Sequence, residues 1–239
     1  MAAIVFSCIW IQPVSGQQVQ VAGDPSTYAD LVKQFYGPDQ SLINGVLYYN
    51  RYARCKGHPY LMNNDFMDGE LTVQGRYYPD LKIRYDIVSQ CVELAYLNMQ
   101  GSRNWLFTIT DHVEAFRLGE NLFSNLDLDG QSRKIYQVIR NAFFTCYIHW
   151  EKRLLPIQND LDYTSKFTDA GTTCLLEMEG KAYIFKNRKT FTRLFPVDLQ
   201  KEIRKIFRKN HFKIKYTTPD EMARNLNAVA DLIKQGGLP

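Results

Sequence analysis

Gly69-Glu70-Leu71-Thr72-Val73-Gln74-Gly75 runs through Arg76-Tyr77-Tyr78-Pro79-Asp80 into Leu81-Lys82-Ile83-Arg84-Tyr85-Asp86-Ile87, and the period of this stretch decides the fold class. Leu71 and Val73 alternate with Thr72 and Gln74 up to Gly75. Leu81, Ile83, Tyr85 and Ile87 then alternate with Lys82, Arg84 and Asp86. A repeat of two is that of a strand whose successive side chains point to opposite faces, so the stretch reads as two half-buried strands.

The same pattern continues outward. Val92, Leu94 and Tyr96 follow a Ser89-Gln90 turn, and Trp105, Phe107 and Ile109 follow Gln100-Gly101-Ser102. Connections this short cannot make parallel crossovers, so these strands are expected to be successive antiparallel neighbours. Phe143 to Trp150 is apolar or aromatic on both faces, as in a strand well inside the fold. Glu179-Gly180-Lys181 predicts a hairpin pairing Cys174–Met178 with Ala182–Lys186, and the β region spans about 45–186.

The period then changes. Leu199, Ile203, Ile206 and Phe207 lie at i, i+4, i+7 and i+8 behind Pro196, which marks one face of a helix. Thr218-Pro219-Asp220-Glu221 has the form of a capping box with proline at the first helical position, and Met222, Leu226, Val229 and Ile233 make the apolar stripe behind it. The fold class is therefore α+β, mainly β: an antiparallel meander or open barrel-like sheet followed by two short C-terminal helices at about 190–235. With 45% apolar and 13% aromatic residues, the 239-residue chain has material for one sizeable core, so 44–239 is read as a single domain.

The N-terminus carries a different signal. Met1 to Gly16 has no charge, an apolar run from Ala2 to Ile11, and small residues near Gly16, the form of a signal peptide over 1–16. The apolar run is too short to span a bilayer. Val5-Phe6-Ser7-Cys8 faintly imitates a lipidation box, and a buried N-terminal strand is the plainer alternative. Residues 17–43, with a short amphipathic stretch Tyr28–Phe35, read as a lead-in. Of the cysteines remaining after such a cleavage, Cys55, Cys91, Cys146 and Cys174, three lie in or beside apolar strands, which favours buried thiols over bridges.

Asn44-Gly45, Gly57-His58-Pro59-Tyr60, Gly69 to Tyr78 and Leu81 to Asp86, with the Lys186–Phe207 tail, resemble a family of uncharacterised exported proteins of Bacteroidota. The resemblance covers most of the chain and rests on scaffold glycines and aromatics. It implies export to the periplasm or outer membrane and brings no catalytic residue.

Chemical signatures are sparse. No G-x-S-x-G nucleophile elbow is present, and Cys174, after Gly171-Thr172-Thr173, has no spacing that pairs it with His149 or His58. His58, His112, His149 and His211 are far apart, without H-x-H or H-E-x-x-H, so no metal is expected. Asn125-Leu126-Asp127-Leu128-Asp129-Gly130 begins like a calcium loop, but the twelfth position is Tyr136 instead of a bidentate Glu. Asp111, Glu114, Asp160 and Asp162 are carboxylates without a recognisable catalytic spacing. No phosphate-cradling or dinucleotide fingerprint occurs, and no cofactor is expected.

Charge is the remaining signal. Lys181 to Lys215 holds twelve Lys or Arg against Asp198 and Glu202, a local balance of +10; the whole chain is +4, so the rest sits at −6. The total is too small for a nucleic-acid binder, and none is expected as partner. Lys201, Arg204, Lys205, Arg208 and Lys209 on the helix, with Lys213 and Lys215 after it, are the candidate site for an anionic lipid, an acidic glycan or an envelope protein. A solvated helix face is the plain alternative. The leading expectation is a non-catalytic binding or assembly module of the envelope; a lipid or glycan carrier comes second and a hydrolase third. A transmembrane barrel is not expected, because the chain closes on helices.

Overall fold

The computed structural model describes residues 50–97, 103–108 and 112–236. The export signal over 1–16, the lead-in 17–43, Asn44-Gly45, Ile109 and Asp111 lie outside the described residues.

Thirteen strands precede three helices among the described residues. The long strands are β2 (Met67–Val73), β3 (Arg76–Asp86), β4 (Cys91–Leu97), β5 (Arg103–Thr108), β6 (Val113–Leu118), β7 (Asn121–Leu126), β8 (Lys134–Arg140), β9 (Thr145–Glu151), β12 (Gly171–Met178) and β13 (Lys181–Phe185). They form one antiparallel ten-stranded sheet in the order β13-β12-β9-β8-β7-β6-β2-β3-β4-β5, with the hairpin at Glu179-Gly180 where it was expected. A small separate sheet joins β1 (Cys55–Lys56), β11 (Ser165–Phe167) and β10 (Leu154–Pro156), and its β1–β11 pair is parallel.

The large sheet follows chain order except at one place. β6 pairs with β2, on the far side of β3 and β4 from β5. Thr108 and Val113 bound a four-residue link, which reaches at most ~18 Å. In a flat sheet, four strand spacings alone would separate β5 from β6 by ~19 Å. The strand ends are also offset: Thr108 pairs through Val92 to Tyr85, while Val113 pairs through Val73 to Arg76, at the other end of β3. The sheet must therefore coil. Its two halves meet accordingly: Lys152 N–H donates to Ile87 O (3.2 Å) and Gln90 Nε2 to Trp150 O (2.9 Å), joining the end of β9 to the β3–β4 turn.

Gly69 marks the place where β2 is held between β3 and β6. A Cβ there would lie 2.5 Å from Arg117 O and 2.6 Å from Ile83 Cγ1, and the β2–β3 register shifts between Gly69 and Leu71. Inside the coil, Tyr85 packs edge-on to Phe116 (5.2 Å) and Phe116 stacks on Phe123 (4.8 Å).

The alternation in β3 is only half a guide to burial. Ile83, Tyr85 and Ile87 face the core as expected, but Arg84 and Asp86, which read as a wet face, are buried too. The segment from Tyr52 to Phe66 covers them. Asp86 accepts from Val88 N–H, Ser89 N–H and Tyr52 OH, and Lys152 Nζ ties the segment down by donating to the carbonyls of His58 (3.1 Å) and Tyr60 (2.7 Å).

The helices are α1 (Arg188–Thr192), α2 (Val197–Lys209) and α3 (Pro219–Gln235). The expected pair corresponds to α2 and α3, and α1 is an additional single turn. Thr218 and Glu221 form the capping box read from the sequence, and Met222, Leu226, Val229 and Ile233 are buried. Phe191 of α1 is the hub of an aromatic chain reaching Phe185 (5.0 Å), Phe195 (5.0 Å), Phe207 (5.6 Å) and, before β9, Phe144 (6.4 Å). This chain fixes the helical layer at the start of β9. No described helix is long and apolar enough to cross a membrane.

Candidate functional site

The site is built by two helices that place apolar residues inward and guanidinium groups beside them. Asn187 opens α1 with a capping box: its Oδ1 accepts from Thr190 N–H, and Thr190 Oγ1 accepts from Asn187 N–H. Phe191 and Thr192 are then buried, leaving Arg188, Lys189 and Arg193 outside. In α2, Ile203 and Phe207 are one turn apart on the buried face. Arg204 and Arg208 follow each by one residue, so they flank the seam.

The result is a cleft of about 480 Å³ between α1 and α2, rimmed by Arg188, Lys189, Arg193, Arg204 and Arg208, with Thr192 and Phe207 at its floor. A second cleft, also about 480 Å³, lies beside Arg188 and Arg208 and extends to Lys213, His211 and Tyr216. Among the described residues no ion pair engages Arg188, Lys189, Arg193, Arg204, Arg208 or Lys213. Arg204 Nη2 donates to Gln200 Oε1 at 2.9 Å, which orients the guanidinium without neutralising it. A patch of this kind raises the local concentration of anions, and guanidinium forks match carboxylate, phosphate and sulfate groups.

The structure sorts the seven basic residues singled out by sequence. Arg204 and Arg208 enter the first cleft, and Arg208 and Lys213 the second. Lys205 instead pairs with Glu202 (2.8 Å), while Lys201 and Lys209 are exposed and line neither cleft. Lys215 Nζ lies 5.2 Å from the Tyr216 ring. Sequence reasoning assigned no site role to Arg188, Lys189 and Arg193, because α1 is too short to show a period. The signal that could have found it is the Asn187-x-x-Thr190 cap ahead of Phe191.

Residues weighed for catalysis are not brought together. Cys174 is buried on β12 and burial pushes its thiol up to about 12. His149 pairs in register with Thr173, so it projects from the opposite face to Cys174, and its Nδ1 is 2.9 Å from Ile135 O. Cys55, Cys91 and Cys146 are likewise free thiols. Glu114 accepts from Gly75 N–H, and Asp160 is bound within its own loop. Asp129, at the start of the calcium-like loop, is held near 2 by Lys134 and by the N–H groups of Gln131 and Ser132.

The buried ionic cluster is a second feature that sequence reasoning missed. Arg84 places Nε and Nη2 each 2.6 Å from Glu93 Oε2, and Tyr60 OH donates to the same carboxylate. Tyr60 and Phe66 cover the guanidinium at 3.9 and 4.3 Å. The cluster fastens the covering segment to β3 and β4, and the adjoining cavity of about 10 Å³ is too small for a ligand. No family model, curated protein or solved structure matches this chain.

Proposed function

We propose that this chain is a non-catalytic binding or assembly module of the cell envelope, and that it engages an anionic partner through the cleft between α1 and α2. One observation carries the reading: Arg188, Lys189, Arg193, Arg204 and Arg208 converge on one cleft over Phe207, and among the described residues no carboxylate pairs with any of them. Like charges held this close repel one another, and an anionic group relieves that repulsion while accepting from the guanidinium forks. The envelope location rests on the signal-like Met1–Gly16 stretch and on the family resemblance.

The test uses a sulfated-polysaccharide resin as a polyanion probe. The full chain is retained at low salt and released as salt rises, and Arg204→Glu with Arg208→Glu abolishes retention. Lys201→Glu with Lys209→Glu, which alters charge equally outside the clefts, leaves most of it. Equal loss in both pairs would reduce the cleft to bulk charge and overturn the reading.

A further inference from the structure

The cleft has a complement on the same chain. The β10–β11 loop carries Asn159-Asp160-Leu161-Asp162-Tyr163, and Leu161 is 96% exposed between its two carboxylates. Leu154, Leu155 and Tyr163 of the same hairpin are also exposed. The loop is ordered in spite of that exposure. Ile157 N–H donates to Thr164 O, Arg54 Nη2 donates to Leu161 O (3.1 Å), and Asp160 Oδ1 accepts from the N–H groups of Asp162 (2.9 Å) and Tyr163 (3.1 Å). Those N–H groups hold the Asp160 carboxyl below its ordinary range, with a smaller contribution from Lys56, so it is ionised throughout the neutral range. A loop presenting an apolar tip between two carboxylates is the charge complement of a cleft rimmed by five cations.

The loop cannot reach the cleft of its own chain. Phe144, just before β9, touches Phe191 and Phe195 of the helical layer, whereas the β10–β11 hairpin follows the other end of β9. Seven residues of strand put ~23 Å between those ends. We infer that the occupant of the α1–α2 cleft is the Asp160-Leu161-Asp162 loop of a second copy of this chain. Leu161 enters over Phe207 and Thr192, and the two carboxylates meet the rim formed by Arg188, Lys189, Arg193, Arg204 and Arg208. The contact joins two different surfaces, so it either closes a two-fold dimer by reciprocal exchange or propagates head to tail into a ring or filament. This inference rests on the reading of the cleft as an anion site and names its partner.

Sedimentation equilibrium of the full chain tests it. At low salt the mean mass rises with concentration above that of the monomer, and it falls back to the monomer near 1 M salt, where the Debye length is about 3 Å. Two variants break one side each: Leu161→Ser with Asp162→Lys spoils the loop, and Arg204→Glu with Arg208→Glu spoils the cleft. Each alone lowers the association constant at least tenfold. Mixed one to one, they form dimers that grow no further, because each partner keeps one intact end. Unchanged circular dichroism and melting show that both variants fold.

A wild-type chain that stays monomeric from micromolar to millimolar concentration overturns the second-copy inference. A mixture of the two variants that never pairs overturns it as well. The loop variant keeps the cleft, so its retention on the polyanion resin is read separately. Cleft-dependent retention with no self-association sinks the second-copy inference alone, whereas cleft-independent retention sinks the anion site itself.

Discussion

Arg84 on β3 and Glu93 on β4 are direct cross-strand partners, with Nε 2.6 Å from Oε2 and neither side chain more than 5% exposed. Removing one partner strands a buried charge, which costs about 3–5 kcal/mol. Removing both avoids that cost. Glu93→Ala is therefore expected to lose several kcal/mol in urea denaturation, and Arg84→Met combined with Glu93→Leu much less. If the double variant is as unstable as the sum of the single ones, the pair is not acting as a coupled unit.

This pair also marks the limit of what was legible in the sequence. The antiparallel sheet could be read because Leu71, Val73, Ile83, Tyr85, Val92 and Leu94 alternate, and α3 because Thr218 and Glu221 cap a stripe that stays in phase. Both signals are local. The burial of Arg84, Asp86 and Glu93 depends on the Tyr52–Phe66 segment crossing the sheet, and the β2–β6 pairing depends on how far the sheet coils; neither leaves a periodic trace. The cleft was half legible: Arg204 and Arg208 belong to a helix with a visible stripe, whereas Arg188, Lys189 and Arg193 belong to a single turn fixed by its cap and by Phe191.

Gly69 is expected to tolerate no side chain. Its added Cβ would meet a backbone oxygen, Arg117 O, at 2.5 Å, so β6 would have to move, and overpacking of this kind costs about 1–3 kcal/mol or more. Gly75 provides the contrast, with φ +73° but open space around it. Thermal melts should show a clearly larger drop for Gly69→Ala than for Gly75→Ala. The reverse order would mean that backbone conformation, not strand contact, sets the cost.

His58 gives a pH dependence of defined sign. Burial, with Lys152 and Arg84 nearby, lowers its pKa below the ordinary value near 6.5. In the window between the two values the unfolded chain binds more protons than the folded one, so this contribution is complete above pH 6.5 and is lost as pH falls through the folded value. Stability curves of wild type and His58→Gln should run parallel above neutrality and change their spacing below pH 6.5, the variant having the shallower acid slope. Parallel curves across that range would show that His58 titrates alike in both states.

Gln137 joins the sheet core to α3, and its removal is expected to be felt at both ends. Trp150 Nε1 donates to its Oε1 at 3.0 Å, while its Nε2 donates to Asn121 Oδ1 (2.8 Å) and to Pro219 O in the first turn of α3 (3.0 Å). Asn121 in turn donates through Nδ2 to Asp220. Gln137→Leu keeps the apolar volume but leaves the buried indole N–H without an acceptor and Asn121 without its donor, at about 1–3 kcal/mol for each unsatisfied group. Adding Trp150→Phe removes the stranded indole N–H, so that step should cost less in the Gln137→Leu background than in wild type. Hydrogen exchange should also speed up in the first turn of α3, where Pro219 and Asp220 lose their anchor. Full additivity together with unchanged exchange there would mean that α3 is held by the apolar contacts of Met222 and Leu226 alone.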